Sequence, residues 1–293
     1  MIEKYLKLHY SPETIKAYKR EIDIYISNYP QVNPHDPDPA RATYKDIMAY
    51  IGGLRKRYRK AATLHRILSS IKVYYDYLCD AGIKTENPAK AINLKDKRVR
   101  DIQLQDLFMP EELEQLLQRK ERYLYLDYRN KVLISLFIYQ ALHPAEAEAL
   151  NVDDVNLRAG TLYIKPLPKT NGRTLSLKPN QVLLFHLYIT EIRPKLLKGN
   201  PSSALLVGLR GGEMTGQDIT KHIKRTFKAL YPNRKINAQT IRQSVITNLL
   251  KQGNDISLVQ AFAGHKYPST TERYKQTEME TLRAAVNKYH PLQ

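Results

Sequence analysis

The sequence predicts a mainly α-helical protein: an N-terminal helical bundle, a basic linker, and a second, mostly helical domain with one small β-sheet or hairpin. Three observations predict it. The first hundred residues carry apolar positions at helical spacing and no strand pattern. A length of 293 residues suits two domains, each able to bury its own core. Only between residues 160 and 179 does the period shorten, where the β-leaning runs GTLYIKP and RTLSLKP flank LPKTNG.

Each element has a local cause. Ser11, Pro12 and Glu13 supply an N-cap, a proline at the first helical position and an acid in the first turn, opening a helix to about residue 27. The proline-rich YPQVNPHDPDP is expected to be a loop. Thr43 with Asp46 resembles a capping box and starts a helix ending in GGLRKRYRK; a third helix over 61–78 aligns Leu64, Ile67, Leu68, Ile71 and Tyr75. KTENPAKAINLKDKRVRD has a proline and little apolar periodicity, so the divisions fall at 1–83, a linker over 84–107, and 108–293. Pro110 then opens PEELEQLLQRK, and 130–141 is apolar enough to be central to the second core. In the hairpin, Asn171-Gly172 is the strongest turn signal. Asn237 caps AQTIRQSVITNLLKQG, whose core stripe is Ile241, Val245 and Leu249, and Asp255 caps ISLVQAFA, which closes on Gly264. Pro268 breaks the chain, and Ser269 with Glu272 caps a short helix holding Tyr274, which is expected to be exposed and movable there.

Charge narrows the partner. Lys and Arg number 47 against 29 acids, a surplus of +18 with pI near 9.7, and the surplus divides evenly between residues 1–100 and 101–293. Such a chain favours a polyanion, and both halves could touch the same nucleic acid. Candidate phosphate contacts are Arg55, Lys56, Arg57, Arg59 and Lys60 in RKRYRK, and Lys95, Lys97, Arg98 and Arg100 in the linker; the plain alternative for each run is a solvated face. The single cysteine, Cys79, excludes an intramolecular disulfide and a cysteine zinc cluster, and points to a reducing, cytoplasmic compartment. No apolar run approaches the roughly 18 residues of a membrane helix, and MIEKYLKLHY is too charged for a secretory signal.

Arg242, Gly264-His265 with the histidine 23 residues later, and Tyr274 nine residues beyond that, preceded by Thr270-Thr271, together resemble the C-terminal signature of the tyrosine recombinases of the phage-integrase and Xer type. The resemblance covers essentially the whole chain. It implies a SAM-like core-DNA-binding domain, a linker, and a catalytic domain that cuts and rejoins double-stranded DNA through a 3′-phosphotyrosyl intermediate, without metal or other cofactor. In that chemistry a phenol must lose its proton as it attacks, and cations must meet the charge gathering on phosphorus. By resemblance, Tyr274 is the nucleophile, Arg242 a phosphate clamp, His265 a donor to the same phosphate, and Lys169 the proton donor to the leaving oxygen, with Lys165 as its fallback. It also implies a tetramer on DNA, with the C-terminal METLRAAVNKYHPLQ docking on a neighbouring subunit.

Two positions depart from the family pattern. The first-motif arginine of G-L-R-x-x-E is replaced in ALHPAEAEAL by His143, and the histidine of H-x-L-R is replaced by Gln239. Losing one preorganised donor to a charged transition state costs about 10²–10³ in rate. Pro144 suggests a partial remedy, a helix start whose amides face the phosphate. Gln239 can bond a phosphate but cannot act as a base. The expectation is a site-specific recombinase that cleaves more slowly than an intact member or depends on partner subunits. The competing readings are a non-cleaving DNA-binding protein of the same ancestry and a type IB topoisomerase.

Overall fold

The computed structural model describes residues 2–96 and 104–274, which belong to two compact units dividing between Arg100 and Asp101. The first is helical: Ile2–His9 (α1), Pro12–Val32 (α2), Tyr44–Arg57 (α3) and Ala61–Asp80 (α4). The capping box of α3 forms as the sequence suggested, with Asp46 Oδ2 accepting from the Thr43 amide at 2.8 Å. All five residues expected on the α4 stripe are buried. At the start of α2, Ser11 stands at the N-cap position, but its hydroxyl pairs with Thr14 Oγ1 at 3.1 Å and not with a backbone amide.

Two stretches differ from their sequence reading. Helix α2 runs through Tyr29 and Pro30 to Val32, where a loop was expected. Tyr25 and Tyr29, one turn apart, are fully buried, and burying two aromatic rings outweighs the hydrogen bond that Pro30 cannot make. The stretch from residue 84, expected to be linker, packs into this core through Ala89, Ile92 and Leu94, while the Lys84 ammonium donates to the Ala40 carbonyl at 2.9 Å. Three short apolar contacts suffice to pin it, although they show no periodicity.

The second unit comprises Pro110–Leu117 (α5), Leu124–Tyr139 (α6), Pro144–Glu148 (α7), strands Val155–Asn156 (β1), Thr161–Ile164 (β2) and Arg173–Ser176 (β3), then Pro179–Leu187 (α8), Arg193–Leu197 (α9), Gly216–Phe227 (α10), Ala238–Lys251 (α11) and Ile256–Ala263 (α12). The sheet is antiparallel in the order β1-β2-β3, and Ile164 pairs with Arg173 at the end of the hairpin. Helix α6 is the core element that its apolar run foretold, with Val132, Leu136 and Phe137 fully buried. It starts at Leu124, six residues before that run, and past its end Ala141 takes a left-handed φ of 47°.

The hairpin turn is not at Asn171-Gly172. Leu167 and Thr170 exchange backbone hydrogen bonds of 3.0 and 3.1 Å, so Pro168-Lys169 forms the tip. Gly172 serves close packing instead: a Cβ there would lie 2.9 Å from Pro166 Cδ. Asn171 donates its amide to the Gly264 carbonyl at 2.9 Å and straps the hairpin to the end of α12. Gly264 itself has φ 66°, the left-handed helix end anticipated from sequence. The next helical stretch, 268–274, begins at Pro268, so the proline opens it and Ser269 lies inside it.

Candidate active site

Three charged side chains from three distant segments meet under the hairpin. Glu146, from the first turns of α7, is 1% exposed and accepts from its own N-cap amide, His143, at 2.8 Å. Arg173, the first residue of β3, grips it with both terminal nitrogens, at 2.7 and 3.1 Å. Arg242, from α11, is 3% exposed and faces Glu146 Oε2 at 3.4 Å, with further bonds to the carbonyls of Ala141 and Ala263. The left-handed turn at Ala141 thus places one carbonyl on Arg242, and the end of α12 places another. Burial pushes the Glu146 carboxyl up, but the hydrogen bonds and charge of Arg173, joined by Arg242, hold it below the usual range. The trio carries two positive charges and one negative.

His265 and Tyr274 stand beside it. His265 follows the Gly264 helix end, and its Nδ1 lies 2.8 Å from the buried Thr271 hydroxyl. Burial, with Arg242 and Arg173 nearby, pushes the His265 pKa down to about 4. The ring is therefore neutral near pH 7, and in the tautomer in which Thr271 donates to Nδ1 its proton is on Nε2, which is then a donor. Tyr274 stacks on this imidazole with ring centroids 6.0 Å apart. Contrary to the expected exposure, Tyr274 is only 5% accessible, because its short helix lays the ring on the core rather than into solvent. Burial raises the phenol pKa, and Arg242 and Arg273 draw it partly back.

Lys169 sits exposed at the hairpin tip, close enough for its charge to help lower the pKa of His143. Lys165, the fallback, is instead paired with Asp154 at 3.1 Å. His143 caps α7 with its own ring, Nδ1 accepting from the Ala145 amide at 3.2 Å. The Glu146 amide bonds the His143 carbonyl. The amides beyond Pro144 are thereby occupied, and the remedy expected of them does not form. Desolvation, Arg242 and Lys169 all lower the His143 pKa against the opposing pull of Glu146, so the ring offers one neutral donor, Nε2. Gln239 is exposed on the first turn of α11, one turn from buried Arg242.

Among the expected DNA contacts, Lys56, Arg57, Arg59 and Lys60 are exposed. Arg55 is engaged with Asp96 at 2.7 and 3.3 Å. Lys97, Arg98 and Arg100 lie outside the described residues, as does the C-terminal segment expected to dock in trans. Sequence reading missed two features. One is Arg173. The other is the cationic face of α10, where Lys221, Lys224, Arg225 and Lys228 line a groove of about 640 Å³; their i, i+3, i+4, i+7 spacing in KHIKRTFK was the available signal.

Comparison with known proteins speaks to the family and the fold. The model of the phage integrase family matches residues 107–281, and that of the phage integrase N-terminal SAM-like domain matches residues 3–82. The chain is 29% identical over 285 residues to tyrosine recombinase XerD of Oceanobacillus iheyensis, covering 96% of this chain and 93% of the relative. The fold resembles that of the Tn1549 transposon integrase solved with transposon right end DNA (TM-score 0.69, 16% identity, 98% of each chain). It likewise resembles XerH recombinase bound to its difH substrate (TM-score 0.69, 21% identity, 92% of this chain and 78% of that one).

Glu146→Ala should cost about 3–5 kcal/mol, since it leaves two guanidiniums buried without their common counter-charge. Urea denaturation measures it. A loss below about 1 kcal/mol would show that the carboxylate is not what holds the two arginines.

Proposed function

The chain belongs to the phage integrase family, and from that premise we propose that it is a site-specific recombinase that cuts and rejoins DNA through a covalent bond to Tyr274. The convergence of Arg242, His265 and Tyr274 on one buried spot carries this reading. Tyr274 Oη bonds to phosphorus as its proton passes to solvent water, the P–O5′ bond breaks, and Lys169 protonates the departing 5′ oxygen. A 3′-phosphotyrosyl link and a free 5′-hydroxyl remain, and the reverse attack reseals the strand. Arg242 and the Nε2–H of His265 meet the charge on the non-bridging oxygens. Gln239, exposed beside Arg242, adds a neutral hydrogen bond, and His143 adds one through Nε2. No step uses a metal or other cofactor.

Double-stranded DNA is the substrate. The exposed Lys56, Arg57, Arg59 and Lys60 of the first unit and the cationic face of α10 in the second are suited to its phosphates. Each subunit forms one phosphotyrosyl bond, so exchange between two duplexes needs four subunits, and we take the working form to be a homotetramer on DNA. No helix among the described residues is long and apolar enough to cross a membrane, and we place the reaction in the cytoplasm, where the DNA is. Tyr274 is nearly inaccessible in the free protein. Cleavage therefore requires helix 268–274 to shift when DNA binds.

Duplexes enriched by binding from a random-sequence pool, then nicked at scanned positions so that the cut fragment diffuses away, provide the direct test. A covalent protein–DNA adduct should accumulate, and Tyr274→Phe should abolish it. Failure to form an adduct on any enriched duplex would overturn the reading in favour of DNA binding without cleavage. The pH profile of the second-order cleavage rate reports groups of the free enzyme. His265 titrates at about 4 and the His143 pKa is lowered, whereas that of Tyr274 is raised. The rate should therefore climb with pH from about 6 to 9 with no break near 6.5; a loss of activity as pH rises through about 6.5 would mean that an imidazolium is required.

A further inference from the structure

We infer that Arg173 supplies the second guanidinium of the active site, touching a non-bridging oxygen of the scissile phosphate in the place left vacant by His143. The inference rests on the recombinase reading and adds a catalytic residue to it. Four observations lead there.

The first is position. Asn171 bonds the Gly264 carbonyl, and Thr170 bridges His265, so the hairpin is fastened to the turn that presents the histidine. The Arg173 guanidinium consequently lies against Gly264: a Cβ at that glycine would fall 2.2 Å from Arg173 Nη1. Its charge is felt by both His265 and Arg242.

The second is its partner. Glu146 occupies the glutamate position of the first motif, three residues after His143. It is Arg173, arriving from β3, that makes the two-pronged contact with this carboxylate. The third is an unfilled bond: Arg173 Nε is buried without a hydrogen-bond partner. A buried donor left without a partner is destabilising, a penalty that pairing with Glu146 alone gives no reason to retain.

The fourth is charge. Glu146 neutralises one guanidinium, and both histidines are neutral near pH 7, so with Arg242 alone the buried groups would carry no net charge, leaving that work to the exposed Lys169, which gives up its proton to the leaving oxygen. Arg173 gives those buried groups a fixed surplus of one, beyond the titrating Lys169, where a phosphodiester must bind and gather more negative charge as the phenol attacks. His143 cannot do this, since its ring carries no charge and spends Nδ1 on capping α7.

Replacing the scissile phosphate by a methylphosphonate removes the charged oxygen and with it the need for a cation. It separates a catalytic arginine from a strut that merely holds the hairpin. Single-turnover adduct formation is followed for the parent, Arg173→Ala and Arg173→Lys on the enriched duplex and on its methylphosphonate counterpart, both diastereomers, with thermal unfolding of each variant in parallel. Arg173→Ala should slow adduct formation by about 10²–10³-fold on the phosphodiester and by less than about 10-fold on the methylphosphonate. Arg173→Lys, which keeps the charge and loses the fork, should lie between parent and alanine on the phosphodiester and match the parent on the methylphosphonate. Should the alanine variant not fold, the lysine variant decides by the same contrast. Equal losses on the two substrates would overturn the proposal and make Arg173 a strut. An inactive parent on both substrates would instead refute the recombinase reading, and this role with it.

Discussion

One carboxylate holds the site together. Glu146 is buried between two guanidiniums that reach it from β3 and α11, and it also ties down the start of α7 through the His143 amide. Burying three charges is costly, and in such clusters the mutual attraction seldom does much more than offset the lost hydration. Its contribution is therefore to geometry. Removing the acid would leave two cations in an apolar surround, so the segments that carry them are compelled to meet. Because Arg242 also bonds the carbonyls of Ala141 and Ala263, the same contact fixes where α6 and α12 end, and with them His265.

The consequence is a pocket whose charge and donors suit an anion. Its histidines are uncharged donors, its surplus positive charge sits on guanidinium, and its phenol is buried with a raised pKa. A phosphate entering this surround would meet fixed donors with little reorganisation to pay for, the condition under which electrostatic stabilisation is strongest. Losing the first-motif arginine need not disable such a site. Chemistry asks for a guanidinium near the phosphorus and is indifferent to the chain segment that delivers it.

The sequence was most legible where structure is local. The caps at Thr43, Asn237 and Asp255 depend on side chains within three residues of their targets, and the helix end at Gly264 on the left-handed backbone glycine permits; all four form. Signals that compete with burial were misread. Pro30 suggested a loop, and two tyrosine rings overruled it; Asn171-Gly172 suggested a turn, whereas that glycine answers the approach of Pro166. The pieces of the proposed site stood out as a pattern rather than singly: Arg242 adjoins Ile241 of the expected core stripe and is among the most buried charges described. Arg173 escaped notice although its strand carried the clue. In RTLSLKP it shares a face with Leu175, and the burial of β3 alternates with both pointing inward, so a charge on that face called for a buried partner.

We propose that the carboxylate-linked pair of guanidiniums holds one scissile phosphate under attack by the phenol. A crystal structure of the Tyr274→Phe protein on its enriched duplex would decide this. Guanidinium nitrogens of both Arg173 and Arg242 should lie within about 3 Å of non-bridging oxygens of the same phosphate, with the ring of residue 274 turned toward its phosphorus. A complex in which the DNA is bound but Arg173 stays wholly on Glu146, remote from any phosphate, would contradict it.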